Sequence, residues 1–125
     1  MDENEVNRKV IGAAIEVHRV LGPGLLESTY HDCLKHELEL LGIGYESESP
    51  IALDYKGKII GDAYRIDLLV ENKVIIELKT VSKLLELHKA QLLTYLKLTN
   101  KKLGLLINFN EILLKHGIKR IVNNL

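Results

Sequence analysis

The stretch from Gly61 to Lys79 constrains the fold more than any other. It holds two runs of β-branched and aliphatic residues, ending at Val70 and beginning at Val74, joined by the polar turn Glu71-Asn72-Lys73. Such runs favour strands, and a short polar turn between them favours an antiparallel hairpin. Pairing Val70 with Val74 across the turn sets Asp67 directly opposite Glu77. Opposed residues share a face and lie roughly 5 Å apart. Alternation along the second strand puts Ile75, Glu77 and Lys79 on one side, with Val74, Ile76 and Leu78 on the other. A two-residue turn would break this alignment.

Two carboxylates facing each other in an apolar neighbourhood are destabilising, and burial raises the cost. A cation between them removes the conflict. Lys79 can supply part of that charge, and oxygen ligands at this spacing also suit a hard divalent ion such as Mg²⁺ or Mn²⁺. The bland alternative is a strand that ends at solvent, and an acidic residue two places before a lysine is common by chance. The rest of the chain has to decide.

A chain of 125 residues suffices for one domain with one core, residues 1–125. Its 17 basic and 17 acidic residues cancel, so any nucleic-acid contact must be a local patch rather than wholesale attraction. The single cysteine, Cys33, forms no internal disulfide, and no Cys/His cluster suggests zinc or an iron–sulfur centre. The acidic start, Met1 to Glu5, does not read as a signal peptide, and no apolar run reaches membrane-spanning length. A cytoplasmic location is expected, without membrane association.

Val6, Val10, Ala13, Ala14, Val17 and Leu21 recur at helical spacing, which predicts a helix over Glu3 to Leu21 closed by Gly22-Pro23-Gly24. His18 beside that face reads as a packed or capping histidine. A second helix is expected from Leu25 or Leu26 to Leu41, with Gly42 beyond its end and Glu27 in its first turn. A carboxylate there either answers the helix dipole or points into a site. Strands are expected over Gly44 to Pro50, Ile51 to Tyr55 and Lys58 to Ile60, ahead of the central hairpin. A third helix is expected over Val81 to Asn100, with Ser82 as N-cap and Leu85, Leu92, Leu93 and Leu96 facing the core. Its other stripe carries Leu84, His88, Gln91 and Tyr95, unlike a solvated face rich in Lys and Glu. Lys102 to Phe109 reads as a buried strand parallel to that of Glu77, since the helix between them is a natural crossover. A last strand is expected over Ile118 to Val122. The order ααβββ(β)αββ predicts an α/β fold, a mixed sheet flanked by helices.

Asp67, followed after nine residues by Glu77-Leu78-Lys79, resembles the D…(D/E)xK signature of the PD-(D/E)xK nuclease superfamily. Gln91 to Tyr95 resembles the QxxxY motif of its RecB-like branches, and Gly24 to Tyr30 matches GxxExxY, the motif of a small family within it. One departure is Ile66 where the signature often has proline. The resemblance covers nearly the whole chain and implies a restriction-endonuclease-like single domain. It implies that Asp67 and Glu77 hold Mg²⁺ or Mn²⁺, with the Leu78 carbonyl and Glu27 as further ligands. Lys79 would orient or deprotonate the attacking water and stabilise phosphate charge, and Gln91 and Tyr95 would position the scissile phosphate.

The expected function is therefore metal-dependent phosphodiester hydrolysis, on DNA ahead of RNA. The alternative from another class is a catalytically silent module on the same fold that binds nucleic acid or protein, which the zero net charge supports. A homodimer would let two sites address both strands, or a protein partner would supply substrate affinity. Lys83, Lys89, Lys97, Lys101, Lys102, Lys115, Lys119 and Arg120 are candidate phosphate contacts, though solvated surface cations are the commoner explanation.

Overall fold

A helix starts at Glu3 because the Asp2 side chain accepts the Glu5 N–H at 2.8 Å, satisfying one donor of the open first turn. This helix, α1 (Glu3–Leu21), buries Val6, Val10, Ala13, Ala14 and Val17 on one stripe, as its periodicity predicts. It ends where Gly22 takes φ +69° and donates its N–H to the His18 carbonyl at 2.8 Å. The second helix, α2 (Glu27–Leu40), buries Tyr30, Leu34 and Leu38 and starts a residue or two later than expected. The structure, a computed structural model, describes the backbone of all 125 residues and every side chain but that of Ala63.

Five strands follow in a single sheet, in spatial order β1-β2-β3-β4-β5. They are β1 (Tyr45–Tyr55), β2 (Lys58–Val70), β3 (Val74–Lys79), β4 (Leu103–Asn108) and β5 (Ile118–Val122). A third helix, α3 (Glu86–Thr99), connects β3 to β4. That crossover makes β3 and β4 parallel, as expected, and every other neighbouring pair is antiparallel. Alternation divides the side chains between two layers. Val74, Ile76, Leu78, Leu103, Leu105 and Ile107 pack under α1 and α2, while Ile75 and Leu106 pack with Leu92, Tyr95 and Leu96 of α3. Each such aliphatic chain contributes roughly 1.5–3 kcal/mol on full burial. Gly104 allows α3 to approach closely, since a Cβ there would lie 2.9 Å from Leu92.

The expected segments Gly44 to Pro50 and Ile51 to Tyr55 form one strand, and Lys58 to Ile60 runs on into the central hairpin as part of β2. Pro50 did not break β1, because β1 is the sheet's edge strand, where a missing N–H is tolerated. The third helix begins at Glu86, five residues later than expected, and Ser82 is not its cap. The reason is tertiary. The buried Asn108 amide takes the Val81 N–H at 3.1 Å and donates to the Val81 carbonyl at 2.9 Å, holding that segment out of the helix. His88 Nδ1 then accepts the Leu85 N–H at 3.0 Å in place of an N-cap side chain. Leu85 is exposed rather than part of the core. No described helix is long and apolar enough to cross a membrane.

Candidate active site

The turn between β2 and β3 has three residues, with Glu71 and Asn72 in left-handed backbone and the Lys73 N–H donating to the Val70 carbonyl at 3.0 Å. Its length fixes the register expected from sequence: Val70 faces Val74, Leu69 faces Ile75 and Leu68 faces Ile76. One rung further the backbone ladder stops. The Asp67 N–H donates to Glu77 Oε1 at 3.2 Å, and the Leu78 N–H donates to Asp67 Oδ2 at 2.7 Å. The two carboxylates thus stand crosswise in place of a rung.

Asp67 is unpaired along its other edge as well. Pairing with β1 passes from Ser47–Leu68 to Ser49–Ile66, skipping Glu48, whose backbone is left-handed at φ +53°. The Asp67 carbonyl is met instead by His31 Nε2 at 3.2 Å, a contact in which that nitrogen must carry the proton because a carbonyl only accepts. Both backbone polar groups of Asp67 are therefore satisfied by side chains. Side-chain alternation also changes here. Ile66 and Leu69 both lie in the α3-side cluster, whereas Leu68 between them lies on the opposite side.

Asp67 is the electrostatic centre of the region. Glu77 is buried, and loss of water together with the Asp67 charge pushes its carboxyl up to about 8, against the opposing pull of the Asp67 N–H and Lys79. Partial desolvation and then Asp67 also raise Glu27, while Lys79 and His31 act to lower it. Much of Glu27 remains open to water. The Tyr95 hydroxyl is raised by burial first, then by Glu77, Tyr64 and Asp67.

Glu27, Ser28, His31, Glu48, Asp67 and Leu78 line one cleft of about 160 Å³. Of the residues expected from sequence, Glu27, Asp67 and Leu78 thus meet in the cleft, and Glu77 joins through its bond to Asp67. Lys79 is half-buried at the end of β3 and acts on both glutamates by charge, without an ion pair among the described residues. Tyr95 is buried beside Tyr64, their ring centroids 5.7 Å apart. Gln91 is exposed, one turn earlier on α3, and makes no hydrogen bond to the cleft among the described residues. Several surface cations already have protein partners: Lys89 with Glu86, Lys101 with Asn72 and Arg120 with Asn4. Sequence reasoning passed over His31 and Tyr64. His31 lies four residues after Glu27, which places both on one helix face, and that spacing was the available signal.

Among the described residues no three Asp, Glu, His or Cys side chains converge as a closed ligand set. Asp67 and Glu77 each place one oxygen on a backbone amide, and their carboxyl groups lie within hydrogen-bonding reach of each other. Two hard oxygen donors that share a proton without a cation, and would release it to one, fit Mg²⁺ or Mn²⁺ as an open site rather than a cage.

Residues 4–121 match the profile of the PD-(D/E)XK nuclease superfamily, and the chain belongs to that superfamily. Its mixed sheet between helices has the restriction-endonuclease-like fold. Among solved structures it is similar to one described as the crystal structure of SSO0001, at 24% sequence identity and a TM-score of 0.58. The match covers 98% of this chain and 63% of that one, a likeness of fold alone. The search of curated proteins gives no match.

Proposed function

We propose that the chain is a divalent-metal-dependent nuclease of the GxxExxY group, hydrolysing phosphodiester bonds in DNA ahead of RNA. The observation that carries this reading is the opened rung at Asp67 and Glu77. A sheet that gives up backbone pairing to set two carboxylates together, one of them buried, is built to receive positive charge. The GxxExxY assignment has physical support at each motif position. Gly24 takes φ +96° in the loop before α2, and Glu27 reaches the cleft. The Tyr30 hydroxyl donates to the Gly22 carbonyl at 2.6 Å and accepts the Leu25 N–H at 3.1 Å, fastening that loop.

In this reading Asp67 and Glu77 hold Mg²⁺ or Mn²⁺, with Glu27 and the Leu78 carbonyl completing the oxygen set. When bound, such an ion neutralises phosphate charge and makes water more acidic. The Leu78 N–H fixes the Asp67 carboxylate from behind, and the Asp67 N–H does the same for Glu77. Lys79 lies where its charge reaches both glutamates, placing it to orient water and to stabilise charge gathering on phosphate oxygens. Tyr95 borders Glu77 and positions the phosphate, with Gln91 joining from the adjacent turn of α3 when substrate covers that face.

A cleavage assay tests the proposal, using single-stranded, duplex and branched DNA and RNA with Mg²⁺, Mn²⁺ or EDTA. Cutting is expected only with metal, and is expected to vanish in the Glu77→Ala/Lys79→Ala double variant. If neither cutting nor calorimetric binding of Mg²⁺ or Mn²⁺ occurs, the silent binding module replaces this reading.

A further inference from the structure

We propose that the face of the β1–β2 hairpin beside α3 is a stacking surface for the bases of single-stranded nucleic acid. This rests on the nuclease reading and specifies its substrate. The hairpin runs past the rest of the sheet. Beyond the rung Ile51–Tyr64 the register shifts at a bulge in β2, residues 61–63 standing against Ala52 alone, and pairing resumes from Leu53–Ile60 to Tyr55–Lys58. Opposed residues share a face, and β1 alternates from Ile51 through Leu53 to Tyr55, so Tyr64, Ile60, Leu53, Tyr55 and Lys58 all lie on the side of Ile51. Ile51 packs with Tyr95 of α3, so this side adjoins Glu77.

The residues on it are unusual for solvent. Tyr64 is 45% exposed, Ile60 40% and Tyr55 59%. The chain has five tyrosines and no tryptophan. Tyr30 stacks on Phe109 in the core and the Tyr45 hydroxyl is bonded to Glu39. The other three, Tyr95, Tyr64 and Tyr55, extend in one direction from the candidate site. From the Ile51–Tyr64 rung to Tyr55 is four residues of strand, about 13 Å.

Charge favours an anionic occupant. Asp54 pairs with Ile59 and alternates to the opposite side, and the one carboxylate between Ile60 and Tyr64, Asp62, sits in the bulge in left-handed backbone at φ +53°, outnumbered by two lysines. Lys58 sits across from Tyr55, and the Lys56 ammonium lies 5.4 Å from the Tyr55 ring centroid. Exposed aromatic faces with cations beside them match a strand whose bases are free, because a duplex keeps its base faces stacked inside. A second copy of the chain would bury the same face through apolar contact and has no use for the lysines.

Binding is measured in EDTA, where no cutting interferes, by anisotropy of a labelled single-stranded oligothymidine and of the duplex of equal length. The single strand is expected to bind more tightly. Tyr64→Ala and Tyr55→Ala are each expected to weaken it roughly ten-fold, with Tyr64→Phe near wild type because the ring remains. Sedimentation is expected to show one oligomeric state for all variants. Affinity indifferent to these tyrosines, a preference for duplex, or tyrosine variants that change the oligomeric state would each overturn the inference. A chain that cuts nucleic acid but binds it regardless of Tyr64 loses this inference alone. One that binds through the tyrosines and never cuts loses only the nuclease reading.

Discussion

Strand β3 meets its two neighbours in opposite ways. Toward β4 the ladder is complete, six rungs from Val74–Leu103 to Lys79–Asn108. Toward β2 it has three, and it stops where Glu77 would face Asp67. The same six residues of β3 serve both edges, so β-propensity does not separate them. The difference lies in the partner. On the β4 side Glu77 stands beside Leu106, which leaves the backbone to pair with itself. On the β2 side it stands beside another acid, and each carboxylate takes an amide that would otherwise belong to the ladder. The charged Asp67 oxygen is a better acceptor than a neutral carbonyl. One edge of β3 therefore contributes stability and the other gives some of it up for a charged site.

The contrast can be broken most forcefully at the closed edge. Leu105 on β4 is fully buried opposite Ile76, and Leu105→Ala is expected to cost about 2–5 kcal/mol through lost burial and a residual cavity. Denaturant unfolding measures this, and the loss should not vary with pH. A cost near that of a surface position would mean the closed edge is not where stability resides.

The open edge should instead show a pH signature. Glu77 stands at about 8 in the folded metal-free protein against an ordinary 4.5 when unfolded. The folded state thus holds a proton that the unfolded state has released. The Glu77 contribution is fully present below the unfolded value and is lost as pH rises through about 8, at a slope on the order of 1 kcal/mol per pH unit. Asp67→Asn keeps an acceptor for the Leu78 N–H while removing the charge that, after burial, raises Glu77. It should make the metal-free protein more stable near neutral pH and flatten the decline. If Asp67→Asn destabilises the protein in EDTA instead, Lys79 already compensates the carboxylates.

The smallest effect is expected at the loop that brings Glu27 to the open edge. Tyr30→Phe keeps the ring stacked on Phe109, 4.5 Å between centroids, and removes the hydroxyl bridging Gly22 and Leu25. A loss of about 1 kcal/mol is expected by thermal or denaturant unfolding. An unchanged stability would show that the loop is held by its backbone alone.

Much of this contrast was legible in the sequence. Asp67 and Glu77 were set opposite each other by the three-residue turn and the strand period. Gly24, Glu27 and Tyr30 were picked out by spacing. The opening of the ladder was not legible, because strand propensity says nothing about whether a carboxylate or a carbonyl takes a given amide. The start of α3 was misread at Ser82 for a related reason. Local chemistry favours a cap there, and the Asn108 amide, bonded to Val81 from 27 residues away in the chain, overrides it.

The sequence by itself determined α1, the parallel β3–β4 crossover and β5, since each follows from local periodicity or chain connectivity, and it tied the β2–β3 register to the length of one turn. Tertiary structure decided that β1 and β2 form one long hairpin, that His31 reaches the Asp67 carbonyl, and that Tyr64 lies against Tyr95. These depend on which polar groups and side chains from distant segments meet, a competition settled only when the sheet closes and every buried amide must find an acceptor.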